Sequence, residues 1–125
     1  MHKSRLGCLV IDCQAGDLGA HETFWAGVLG REREFGSKDP KYRDLQGPDS
    51  ELRVLLQAVE HPPRVHLDIE TDDIPAEVAR LKKLGATEVG ACKRWVVMEA
   101  PSGHRFCVVT PQRPDFETHA NSWNE

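Results

Sequence analysis

The stretch Arg64 to Ala86, RVHLDIETDDIPAEVARLKKLGA, passes from a period-two alternation through an acidic turn into a helical periodicity, and its reading decides the fold. Val65, Leu67 and Ile69 alternate with His66, Asp68 and Glu70, which gives a strand with one apolar face and one face of ionisable groups. Asp72 or Asp73 caps the helix that follows, Pro75 is tolerated in its first turn, and Val78, Leu81 and Leu84 share one side. Gly85 stops that helix as a left-handed C-terminal residue. If Val78, Leu81 and Leu84 pack on Val65, Leu67 and Ile69, then His66, Asp68 and Glu70 point the opposite way, into water or a cavity.

The same order of elements occurs upstream. Leu6 to Cys13, LGCLVIDC, is an apolar, β-rich run followed by a turn, and Phe24, Trp25, Val28 and Leu29 recur at helical spacing between Asp17, a possible cap, and Gly30, a stop. The helix ends at Leu29 and Leu84 lie 55 residues apart and the strand starts at Leu6 and Arg64 lie 58 apart, so an internal repeat is the economical reading. Shorter runs follow each helix: Arg33 to Gly36, Lys41 to Gln46 and Glu51 to Val59, then Thr87 to Cys92, Arg94 to Ala100 and Arg105 to Thr110. Each half thus reads βαβββ, with module one at about 5–60, module two at about 64–110 and Pro62-Pro63 as a stiff link. The segment 111–125 carries two prolines and no periodicity, and is expected to be an extended or frayed tail unless Phe116 and Trp123 dock on the body or on a second subunit.

A length of 125 residues fits one compact domain, and 39% hydrophobic with 29% charged residues is the composition of an ordinary soluble globular chain. The net charge of −4 and the scattered Lys and Arg argue against nucleic acid as a partner. No apolar run approaches the roughly 20 residues that span a bilayer, and no signal-peptide core is present, so a cytoplasmic location without membrane association is expected. Cys8, Cys13, Cys92 and Cys107 show no CxxC spacing and read mostly as buried thiols.

Paired βαβββ modules, the helix end FWAGVLG, the segment HLDIETDDIPAEVARLKKLGAT and the closing WVVMEAPSGHRFCVV together resemble the vicinal oxygen chelate superfamily, in its glyoxalase-like or bleomycin-resistance-like subgroup. The resemblance covers about residues 5–110, and PSGHRFCVV is its most specific part. It implies an α+β fold in which two βαβββ modules form a partly closed, eight-stranded mixed sheet around a cavity, with the helices outside. It also implies a homodimer, and places His66 where metal-dependent members carry a histidine. Carried across by strand phase, the other metal positions fall on Cys8, Gln57 and Cys107, where metal-dependent members have mostly His and Glu. An octahedral Mg, Mn, Ni or Fe site uses imidazole and carboxylate, so this set departs from it; two thiols favour a softer ion such as Zn. The expectation is no cofactor, the alternative a divalent metal held by His66, Gln57, Cys8 and Cys107. Otherwise Cys8 and Cys107 are small packing residues in an apolar pocket wall.

His66 and Asp68, two apart on one strand face, are the candidate acid/base pair, or else a polar pair satisfied within the sheet. Cys8, Gln57, Cys107, Arg53 and Trp95 are the candidate ligand contacts: Trp95 as an aromatic wall, Arg53 as a cation for an anionic group or simply a solvated edge residue. Asp12 and His104 are expected to be structural, and Trp25 core. The sequence contains no G-x-S-x-G elbow, phosphate-binding glycine loop or HExxH motif. The expectation is therefore a protein that binds a small, partly apolar molecule without a complete metal site. The alternatives are a metal-dependent lyase, isomerase or dioxygenase acting on vicinal oxygens, and a structural or dimeric interaction module.

Overall fold

The computed structural model describes residues 1–14, 16–33, 39–92 and 94–124. The elements are β1 (His2–Gln14), α1 (Leu18–Leu29), β2 (Tyr42–Leu45), β3 (Arg53–Val59), β4 (Arg64–Thr71), α2 (Ile74–Lys83), β5 (Thr87–Ala91), β6 (Trp95–Glu99), β7 (Arg105–Val109), α3 (Phe116–His119) and β8 (Asn121–Trp123). The strands hydrogen-bond in the order β2-β3-β1-β4-β7-β6-β5, with β8 pairing with β1. The fold is α+β, and its sheet is mixed because β4 and β7 run parallel while β6 is antiparallel to both β5 and β7. It is not closed into a barrel. The expected short strand Arg33 to Gly36 lies, apart from Arg33, outside the described residues. Next to it, Glu32 makes a single antiparallel bridge to Gln46.

The chain divides into two compact units, Leu9–Val65 and a second made of Met1–Cys8 with His66–Glu125. In Leu9–Val65, α1 begins at Asp17, whose carboxylate accepts from the Gly19 N–H, and ends at Gly30 with φ +66°. Its buried positions are Leu18, Glu22 and Ala26, which pack with Ile11, Cys13, Leu45, Val54 and Leu56. This corrects the expected apolar stripe, because Phe24 and Val28 are 61% and 57% exposed and Leu29 also faces solvent. The cause is Glu22. Its carboxylate turns inward to meet Arg33 at 3.2 Å and Arg43 at 3.7 Å, and that ionic anchor sets which side of the helix is covered. Trp25 is half-buried against the same core, as expected.

In the other unit, Asp73 caps α2 through the Ala76 N–H, Pro75 sits in the first turn, and Gly85 takes φ +111° just beyond the helix. Asp72, the other candidate cap, instead accepts from the Lys3 N–H at 2.8 Å. The core consists of Val78, Ala86, Met98 and Val108, flanked by Ile74, Leu81, Val96 and Phe106. α2 therefore covers β5, β6 and β7. Val65 is 52% exposed, Leu67 and Leu84 are also open, and only Ile69 of the expected β4 stripe is half-buried. The helix ends at its Leu84 cap.

The C-terminal segment is built into this unit. β8 pairs antiparallel with β1, bringing Trp123 opposite His2, and Phe116 of α3 is 3% exposed. The Trp123 indole N–H donates to Ser4 Oγ at 2.8 Å, and the Arg80 guanidinium stacks 3.9 Å from the Trp123 ring centroid. Docking on the body is the outcome, and the frayed tail is not.

Candidate functional site

Strand register fixes which side chains share the face that α2 leaves uncovered. Leu67 pairs with Phe106 and Ile69 with Val108, so these lie on the helix side. Asp68 pairs with Cys107, Glu70 with Val109, Val97 with Cys107 and Trp95 with Val109. With the period of two along a strand, His66, Asp68, Glu70, Cys107, Val97 and Trp95 therefore project from the opposite face. The sequence alternation at β4 thus has the orientation expected of it.

Near the centre of that face His66, Asp68 and Cys107 come together, with one ligand atom from each lying within 4.8 Å of the others. His66 Nε2 is 3.5 Å from Asp68 Oδ1, and the two side chains are 13% and 16% exposed. Asp68 Oδ1 is itself buried and accepts no hydrogen bond. A buried carboxylate oxygen left without a donor costs about 1–3 kcal/mol or more. The arrangement offers an imidazole nitrogen, a carboxylate oxygen and a thiol sulfur, a donor set that suits a borderline divalent ion.

Glu70 belongs to the same face but has a different task. It is fully buried, accepts from Arg5 Nε at 2.6 Å, and takes the backbone N–H groups of Gln112 and Arg113 on its other oxygen. Arg5 also donates to Asp115 at 2.7 Å. Its hydrogen bond from Arg5 holds the Asp115 carboxyl below the ordinary range. The expectation that Glu70 faces water or a cavity is therefore corrected. The C-terminal segment 112–116 closes over it, and its partners lie too far along the chain for local pattern to reveal them.

The remaining candidates are placed as follows. Cys8 is 1% exposed and does not belong to the three-donor group. Trp95 is 36% exposed at one end of the face, with a surface open to a planar ring. Arg105, at the other end, meets Glu99 at 3.6 Å. In Leu9–Val65, Arg53 and Gln57 project from β3 on the side opposite Val54 and Leu56. There Arg53 Nε donates to Asp44 at 3.2 Å and the Gln57 amide donates to the Tyr42 hydroxyl at 3.4 Å. His104 Nδ1 lies 2.8 Å from Ser102 Oγ within its turn. Asp12, 3% exposed, has His61 Nε2 at 3.7 Å and Arg64 Nε at 3.8 Å. His61 gave no signal in the sequence because it sits in the Pro-rich link, outside any periodic run.

No curated protein matches the sequence. Among solved structures, a hypothetical protein from Bacillus halodurans aligns with a TM-score of 0.64 at 14% identity, covering 97% of this chain and 99% of that one. Methylmalonyl-CoA epimerase from Mycobacterium tuberculosis aligns with a TM-score of 0.57 at 19% identity over 86% and 87% of the two chains. A variant of homoprotocatechuate 2,3-dioxygenase from B. fuscum aligns with a TM-score of 0.59 at 15% identity over 88% of this chain, which spans only 33% of the dioxygenase. At such identities the likeness concerns the fold. Among the described residues no helix is long and apolar enough to cross a membrane. The match that decides the family is that of the glyoxalase-like domain to residues 8–109: the chain belongs to the glyoxalase-like domain family.

Proposed function

We propose that the protein binds a small, partly apolar molecule on the β4-β7-β6 face, with His66 and Asp68 as its polar contacts and Trp95 and Val97 as apolar wall. The observation that carries this reading is Asp68 Oδ1, buried and without a hydrogen-bond donor, beside His66 at 3.5 Å. A protein seldom leaves such an atom unanswered, and a ligand group donating to it restores the missing interaction. Trp95 adds an exposed aromatic surface on the same side of the sheet. A polar anchor beside an apolar wall is the usual make-up of a small-molecule site.

The test is thermal shift and calorimetry of the tag-free chain against a library of aromatic, phenolic and lactone compounds. A hit whose affinity falls about tenfold or more in Asp68→Asn, the loss of roughly 1.4 kcal/mol, supports the reading. Trp95→Ala should weaken a ring-containing hit by a similar factor. Absence of any shift across the library would count against it.

A second reading is favoured by the three-donor group itself: metal-dependent lyase, isomerase or dioxygenase chemistry on a substrate with neighbouring oxygens. Turnover of such a substrate that disappears in His66→Gln would put this reading first.

A further inference from the structure

We infer that the β4-β7-β6 face selects a small aromatic amine: its ammonium group sits on the Asp68 carboxylate, and a ring joined to it by a short apolar chain lies against Trp95. The inference rests on the reading of this face as the binding site, and gives the chemical class of the molecule bound there.

Among the described residues, the charges on this face leave one group to be answered. Glu70 is met from within the protein, by Arg5 at 2.6 Å and by the backbone N–H groups of Gln112 and Arg113. Arg64, at the start of β4, has Asp12 at 3.8 Å. Arg105 meets Glu99 at 3.6 Å, and with 44% and 40% of these side chains exposed, water screens what remains of that pair. Asp68 is different. Its Oδ1 is buried and accepts no hydrogen bond, and His66 Nε2, at 3.5 Å, stands beyond the roughly 3.2 Å reach of an N–H···O bond. A carboxylate can only accept, so the complementary ligand group is a donor. A charged donor outweighs a neutral one, because hydrogen bonds to ionised partners are roughly twice as strong. A ligand carboxylate or phosphate would instead bring like charge beside Asp68. The Asp68 side chain keeps 16% of its surface open, which gives the ammonium its approach.

Strand register places the rest of the molecule. Asp68 pairs with Cys107 and Cys107 with Val97, so Val97 stands in the same row as Asp68, two strands away. Trp95 lies two residues along β6 from Val97, in the row of Val109 and Glu70. With strands about 4.8 Å apart and a rise of about 3.3 Å per residue, the backbone positions of Asp68 and Trp95 are roughly 12 Å apart. A ring and an ammonium group joined by a few methylene groups cover most of that span, and the methylenes cross half-buried Cys107 and Val97, which offer no charge. Trp95, 36% exposed, presents the aromatic surface on which the ring packs. All of these residues belong to the unit that contains His66–Glu125.

The test uses the full, tag-free chain and compounds that differ only in their head group: phenylbutylamine, phenylbutanol and phenylbutyrate. Calorimetry at about pH 8 keeps the alkylamine charged and an ordinary imidazole neutral. The amine should bind at least about tenfold tighter than the alcohol, and the carboxylate more weakly than either. Asp68→Asn should lower amine affinity by about tenfold or more and leave the alcohol within about twofold, so that the preference disappears. Trp95→Ala should weaken amine and alcohol by the same factor. Circular dichroism confirms that each variant folds, and the comparison of head groups on the wild-type chain depends on no variant. An alcohol or carboxylate that binds as tightly as the amine overturns the inference. So does an amine preference that survives Asp68→Asn; if Trp95→Ala removes it instead, the ammonium sits on the indole face. Library compounds that bind in an Asp68-dependent way while the amine does not would leave the binding reading standing and end this one. Binding by neither the amine nor any library compound would end both.

Discussion

Arg5 Nε donates to Glu70 Oε2 at 2.6 Å, joining β1 to β4 through a pair in which the carboxylate is fully buried and the arginine 8% exposed. The contact is possible because Gly7 has no side chain: a Cβ there would lie 2.8 Å from Glu70 Cγ. Arg5→Met removes the strongest partner of Glu70 and leaves the buried carboxylate with the Gln112 and Arg113 backbone N–H groups and the Arg113 guanidinium at 3.8 Å, so it should destabilise the protein by about 1–3 kcal/mol. Gly7→Ala should cost about 1–3 kcal/mol through overpacking against Glu70. Urea unfolding of both variants checks this, and an Arg5→Met midpoint equal to wild type would show that the pair contributes nothing net.

Glu77 gives a pH dependence whose sign can be worked out. Burial opposes its charge, but hydrogen bonds from Arg80, His2 and Ser4 outweigh that effect and hold its carboxyl below the ordinary range. The unfolded chain, with a glutamate near 4.3, then binds the proton more readily. Stability from this group is complete above that value and is lost as pH falls through the lower folded pKa. In thermal melts, the advantage of wild type over Glu77→Gln should shrink as pH falls below about 4. A difference that grew on acidification would contradict the assignment.

The sequence revealed elements whose causes are local and concealed those whose causes are distant. The alternation at β4, the Asp73 cap, Pro75 and the stops at Gly30 and Gly85 depend on neighbours within a few residues, and each is found as read. The orientation of His66 and Asp68 follows from the same alternation. The covered side of α1 was misread because Glu22 looks like a solvated residue until Arg33 and Arg43 are placed beside it. Glu70 was misread because Arg5 is 65 residues away and its other partners lie in the C-terminal segment. That segment has no periodicity of its own, since Phe116 and Trp123 are held by Arg5, Ser4 and Arg80.

The core of the second module makes a simple stability prediction. Met98 and Val108 are both 0% exposed beneath α2. Met98→Ala removes a buried side chain from a packed layer and should cost about 2–5 kcal/mol. Val28→Ser, on the open side of α1 where the side chain is 57% exposed, should change stability by no more than about 0.5 kcal/mol beyond its helix propensity. Chemical denaturation of the two variants separates the covered faces from the open ones.

Thiol reactivity offers a residue-by-residue check on the sheet. Cys92 is exposed, Cys107 half-buried, and Cys8 and Cys13 buried. Burial, reinforced by the Asp12 charge, pushes the Cys13 thiol above its ordinary pKa and keeps it protonated at neutral pH. Because the thiolate is the reacting species, iodoacetamide should label Cys92 first and Cys107 more slowly, with Cys8 and Cys13 reacting only on unfolding. Peptide mass spectrometry over a time course reads this order directly. Under the metal-dependent reading, added Zn(II) should slow labelling of Cys107 while leaving Cys92 unchanged, because Cys107 stands beside His66 and Asp68. Labelling of Cys13 at the rate of Cys92 would contradict the placement of β1 in the core.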